Sequence, residues 1–207
     1  MRRFMNIAIV FAIGFWLWGQ LAPFRFARAG IVSEEPAKTE TSFQPFFFKS
    51  YGLFPREFLI NPRMAYHITG RVLHKRMYIT RAFFSDILPY DFALGWKGMS
   101  DLDIIRPYMT FDHHGQHAIG RYYTYEYHWD DAAPPQYIAA MADNSNKSNN
   151  HLIPSNLQIF AKLWWVNTGD IIHLKGYLVD LEWPEQPGWK WKTALTPSEN
   201  HFNKWDD

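Results

Sequence analysis

Between Arg3 and Arg25 the chain carries no charge. The twenty-one residues from Phe4 to Phe24 are apolar or neutral, with an apolar centre from Ile7 to Trp18. As a helix, such a run rises about 30 Å, the thickness of one hydrocarbon core. Trp16 and Trp18 lie toward its far end, where amphipathic rings favour the interface. The pattern predicts one N-terminal transmembrane helix, with residues 1–30 as a membrane anchor. Arg2 and Arg3 favour an amino terminus on the cytoplasmic side, and Arg25 and Arg28 weaken that bias. A cleaved signal peptide is the alternative, because Ala27-Arg28-Ala29 before Gly30 has the small-x-small form of a cleavage site. Either reading exports the rest of the chain.

Beyond the leader the periods change. Residues 31–44 are polar and aperiodic, which predicts a tether. Residues 45–207 are expected to form one extracytoplasmic β-rich domain. Pro45, Pro55 and Pro62 exclude a long helix near its start. Tyr66 to Ile79 reads as a strand bent at Gly70. Pro89 to Gly95 reads as a short helix, with Pro in the first turn and Gly at the end. Asp101 to Arg106 reads as another, capped by Ser100 and stopped by Pro107. Arg121 to Trp129 alternates as a strand, with Tyr123, Tyr125, Tyr127 and Trp129 on one face.

The polar stretch Asp143 to Asn150 reads as a loop. A helix then opens at Ser155, with Leu157, Phe160, Ala161 and Trp164 as its apolar stripe. Ile171 to Leu181 and Trp189 to Leu195 read as a closing hairpin. Gly176 is expected to let a ring approach from across the sheet. The order predicts an α+β, mostly antiparallel sheet or partly open OB-like or SH3-like barrel with short helices.

Composition narrows the function. Net charge is +1, too small a field for nucleic-acid binding. The absence of cysteine removes disulfides, thiolate catalysis and Cys-ligated zinc. Aromatic residues make up 18%, including ten Trp, enough to fill a β-rich core and leave rings for a binding surface. There is no phosphate-binding Gly loop and no nucleophile elbow.

Four segments carry a resemblance. They are Asp91 to Trp96 with Met99-Ser100-Asp101, then Asn150 to Pro154, then Gly169 to Val179, and last Trp189-Lys190-Trp191 with Leu195-Thr196. In order and spacing they resemble a group of uncharacterised bacterial membrane-anchored proteins. The group's members end in an acidic, Gly-containing segment and a Cys, where this chain has Pro197 to Asp207. The resemblance implies a single-pass protein of the bacterial inner membrane with its C-terminal domain in the periplasm. With a cleaved leader, the protein is periplasmic or secreted instead. It implies no catalytic residue.

Two constellations bear on chemistry. Trp96, Arg121 and His151 lie in or near those segments and together suit an anion or a sugar-like ligand. Asp112-His113-His114-Gly115-Gln116-His117 offers His113 and His117, with His128, as a metal set. A polar turn accounts for it as well, so no metal is favoured and no cofactor is expected. The sequence therefore points to a non-catalytic binding or assembly module. Its expected partners are the bilayer, through the N-terminal helix, and other envelope proteins. An extracytoplasmic hydrolase or metal-dependent enzyme using His151 or the His113/His117 cluster is the alternative.

Overall fold

A single strand of 21 residues, β3 (Glu57–Met77), organises the fold. In this computed structural model, residues 24, 27–52, 54–78, 86–114, 124–129, 132–142 and 146–195 are described. Along one edge β3 pairs antiparallel with β8 (Ile171–Glu182). Along the other it takes in succession β2 (Phe46–Lys49), β1 (Ala37–Glu40) and β4 (Tyr90–Gly95). β7 (Lys147–Leu152) adds to β4, and the short β9 (Lys190–Trp191) adds to β8. The result is a curled antiparallel half-barrel with a few short helices. A separate hairpin is formed by β5 (Met109–His114) and β6 (Thr124–Trp129). The helices are α1 (Leu102–Tyr108), α2 (Pro135–Ala142) and α3 (Leu157–Trp165).

Two irregularities in β3 shape the curl. The register slips between Pro62 and Met64 against β8, and between Val72 and His74 against β4. The predicted bend at Gly70 thus falls on either side of it. An extra residue moves the following side chains to the other face. Ile60 opposes Leu181 on one face, with Phe58, Ile87 and Leu88 around them. Ile68 opposes Leu174 on the other face, with Val72, Tyr90, Phe92, Leu94 and Leu163. A third cluster joins Leu73, Ala93, Met99, Ile104 and Ile105 to Phe24, the last residue of the uncharged run.

Several expectations are corrected. Residues 90–95 form a strand buried at every position, not a helix. Tyr90, Phe92 and Leu94 alternate with Asp91, Ala93 and Gly95, a period-two pattern hidden by the flanking Pro and Gly. The expected polar loop contains β7, whose Asn150 amide donates to Ser148 Oγ at 2.9 Å and to the Phe92 carbonyl at 3.3 Å. The expected tether contributes β1 and buries Val32. Asp101, not Ser100, caps α1, accepting from the Asp103 N–H. Ser100 instead accepts from the Val32 N–H at 2.8 Å. Pro107 lies inside the last turn of α1 rather than beyond it.

A Cβ at Gly176 would meet nothing within 4 Å, so among the described residues no ring approaches there. Asn156 caps α3 through the Ile159 N–H, and of the predicted stripe Phe160 packs inward while Leu157 and Ala161 are exposed. Leu163 and Phe160 are the residues packed on the sheet, while Leu157 is 72% exposed. The predicted transmembrane helix lies outside the described residues. Among those described, no helix is long and apolar enough to cross a membrane.

Candidate functional site

β7 and β9 are the two ends of the strand order β7–β4–β3–β8–β9. The curl brings them together. His151 on β7 sits 5.2 Å from Trp191 on β9, centroid to centroid, with the rings at 75°. Trp191 is held from behind by the cluster of Phe58, Leu181, Trp183 and Trp189. The sheet thus closes on a polar–aromatic contact.

Behind the imidazole lies Asp91 of β4, directly across the ladder. His151 Nδ1 bonds one carboxylate oxygen of Asp91, and the Tyr78 hydroxyl donates to the other. Asp91 is buried, whereas the His151 side chain stays 30% exposed. A carboxylate placed on Nδ1 fixes the ring's orientation and its tautomer. The far nitrogen, Nε2, then faces the Asn149 amide at 3.3 Å. Among the described residues no hydroxyl hydrogen-bonds to that nitrogen.

Two buried cations of β3 look like site residues by type but serve the scaffold. Arg71 is fully buried. Its guanidinium donates to the carbonyls of Ser100, Gly169 and Gly30 at 2.7, 2.7 and 2.6 Å. It therefore ties the start of the domain to the turn before β8. Gly169, in that turn, has φ +95°, and a Cβ there would lie 2.7 Å from Ala27. Lys75 Nζ donates to the carbonyls of Leu163, Trp164 and Val166 at 2.9, 2.7 and 2.7 Å. These close the C-terminus of α3, whose last carbonyls lack helical partners. Burial pushes the Lys75 ammonium down to about 8, against the opposing pull of Asp170.

A hydroxyl–imidazole pair exists elsewhere. Thr69 Oγ1 lies 2.9 Å from His173 Nδ1 on the exposed side of the β3–β8 pair, with His67 6.2 Å from His173 between ring centroids. No carboxylate orients that imidazole among its described partners.

Of the residues proposed from sequence, the structure places Trp96 apart from His151. Trp96 is buried in the cluster of Ile68, Leu94 and Leu163, five positions along from Asp91. It does not join His151. Arg121 and His117 lie outside the described residues. Within the β5–β6 hairpin the register sets His113 opposite Tyr125 and His128 opposite Thr110, so the two are not cross-strand partners. No group of three metal-ligating side chains occurs among the described residues.

Asp91, Tyr78, Asn149 and Trp191 were not singled out from sequence. The available signals were a lone carboxylate in the apolar run Tyr90 to Leu94 and the Asn149-x-His151 spacing, which shares a face only on a strand. No family model, no curated protein and no solved structure matches this chain.

Proposed function

We propose that the chain is a membrane-anchored extracytoplasmic binding module, with an OB-like curled sheet that presents a ligand site at the seam. The uncharged run before Arg25 supports the anchor, and the resemblance to bacterial membrane-anchored proteins supports a periplasmic placement. One observation carries the binding reading. Nε2 of His151, the nitrogen a general base would use, faces an amide and not a nucleophile. An oriented imidazole beside a half-buried indole suits a hydroxylated ligand with an apolar face, as a sugar ring has.

Calorimetric titration of the detergent-solubilised full chain with an N-acetylglucosamine oligomer tests this. Saturable binding is expected, weakened roughly tenfold or more in Trp191→Ala, the loss of one good contact (about 1.4 kcal/mol). Absence of binding overturns the sugar assignment, and release of a cleaved product favours the hydrolase.

A further inference from the structure

The β3–β8–β9 ladder meets two of its basic side chains with carboxylates. Arg63 lies 3.1 Å from Asp180, and Lys190 lies 3.0 Å from Glu182. In the middle of β8 that balance is missing. The register sets Thr69 opposite His173, His67 opposite Lys175 and Ala65 opposite Tyr177. Residues opposite each other in a ladder, and alternate residues along a strand, share one side of the sheet. β1 adds Ala37 opposite His67 and Thr39 opposite Ala65 on that side. These positions hold two imidazoles, an ammonium group, two threonine hydroxyls and a phenol, and no carboxylate.

His173 and Lys175 are exposed, with His67 half-buried beside them. The two imidazoles stand 6.2 Å apart at 79°. Thr69 Oγ1 lies 2.9 Å from His173 Nδ1, which leaves Nε2 for another partner. Lys175 makes no hydrogen bond or ion pair among the described residues. Asp101 and Asp170 act on Arg71, further along β3. Like charges directly opposite destabilise a ladder. A basic row without a carboxylate therefore favours an anion from outside.

The row runs into three exposed rings. Tyr177 follows Lys175 on the same side of β8. Its ring lies 5.3 Å from that of Phe43, which lies 5.6 Å from that of Phe46. All three are open to solvent. Alternate residues of a strand are about 7 Å apart, so the ammonium group and the first ring lie within reach of one sugar ring and its phosphate.

We infer that this side of the β1–β3–β8 ladder binds a phosphorylated sugar. Lys175 meets the phosphate as a point charge, helped by His67, His173 and Thr69. Tyr177, Phe43 and Phe46 pack against the apolar face of the sugar. The inference is independent of the ligand assigned to the seam.

Calorimetric titration of the detergent-solubilised full chain tests it, in phosphate-free buffer. The probes are glucose 1-phosphate, glucose and inorganic phosphate. Saturable binding of glucose 1-phosphate is expected, tighter than that of either part. Lys175→Met should weaken it roughly tenfold or more. The double variant His67→Gln, His173→Gln should weaken glucose 1-phosphate and inorganic phosphate alike. Tyr177→Ala should weaken glucose 1-phosphate and leave inorganic phosphate unchanged. Lys175 and Tyr177 are exposed, so neither change is expected to disturb folding. Trp191→Ala should alter neither affinity.

Absence of saturable binding overturns the inference, as does native affinity in Lys175→Met. Binding lost in Trp191→Ala but kept in Lys175→Met moves the ligand to the seam and also overturns it. Zinc or nickel bound in place of phosphate, and lost in the histidine double variant, makes the imidazole pair a cation site and contradicts it.

Discussion

Arg71 and Lys75 on β3, and His151 with Asp91 at the seam, are two sets of charged or polar side chains placed in the same curled sheet. They differ in what their hydrogen bonds serve. Every described hydrogen bond of the two cations ends on a backbone carbonyl, in a loop, a turn or a helix end. The seam groups bond to one another's side chains and keep one ring partly open to solvent. Buried charge by itself therefore does not mark a site. The first set joins backbone carbonyls of separate segments to one strand. The second set fixes the direction of an accessible imidazole.

The largest effect is expected at Arg71. Removing the guanidinium in Arg71→Met leaves three carbonyls without their partner. At about 1–3 kcal/mol for each buried group left unsatisfied, partly relieved by relaxation, the loss is about 3–5 kcal/mol. The thermal midpoint of the full chain in detergent should fall by roughly 10 °C. A shift of only a degree or two would mean that Arg71 does not hold the junction of Gly30, Ser100 and Gly169.

A smaller effect follows from Lys75. Its folded-state value, about 8, lies below the usual 10.5. Below both values the group is charged in the folded and unfolded chain alike, and contributes no slope. Between them the unfolded chain keeps a proton that the folded chain has released, so stability rises with pH. The gain across this window is at most about 3 kcal/mol. Tyr90, pushed by burial up to about 12, opposes the trend only at higher pH. Urea unfolding at a series of pH values should show the rise between about 8 and 10 in the native chain, and a flatter curve in Lys75→Met. Parallel curves would show that Lys75 titrates normally and that its carbonyl partners do not confine it.

How much of this was legible in the sequence depends on which rule each segment obeys locally. The described part of the Tyr-rich strand alternates in sequence and β8 alternates over its first five residues, and both were read as strands. β4 obeys the same alternation over only six residues, and Pro89 and Gly95 at its ends imitate helix boundaries. β7 is polar because its side chains bond one another and the neighbouring ladder, a context no local pattern contains. For α3 the helical period was right, but of its predicted stripe Phe160 packs on the sheet while Leu157 and Ala161 do not. A helical period shows that one face is apolar, not whether protein or lipid covers it.

His151 was legible as an isolated histidine beside a capped helix. Asp91 was not, because pairing across two strands first had to be known. Trp191 was still less accessible, since the contact requires both ends of the sheet to meet.

The most direct test of the contrast between scaffold and site is the unfolding free energy of His151→Ala beside that of Arg71→Met, measured by urea titration of the full chain in the same detergent. Asp91 keeps its bond from Tyr78 in the first variant, and the open side admits water, so the expected loss is about 1 kcal/mol against the larger loss at Arg71. If His151→Ala costs as much as Arg71→Met, the seam histidine is scaffold, and the account of it as a binding group is contradicted.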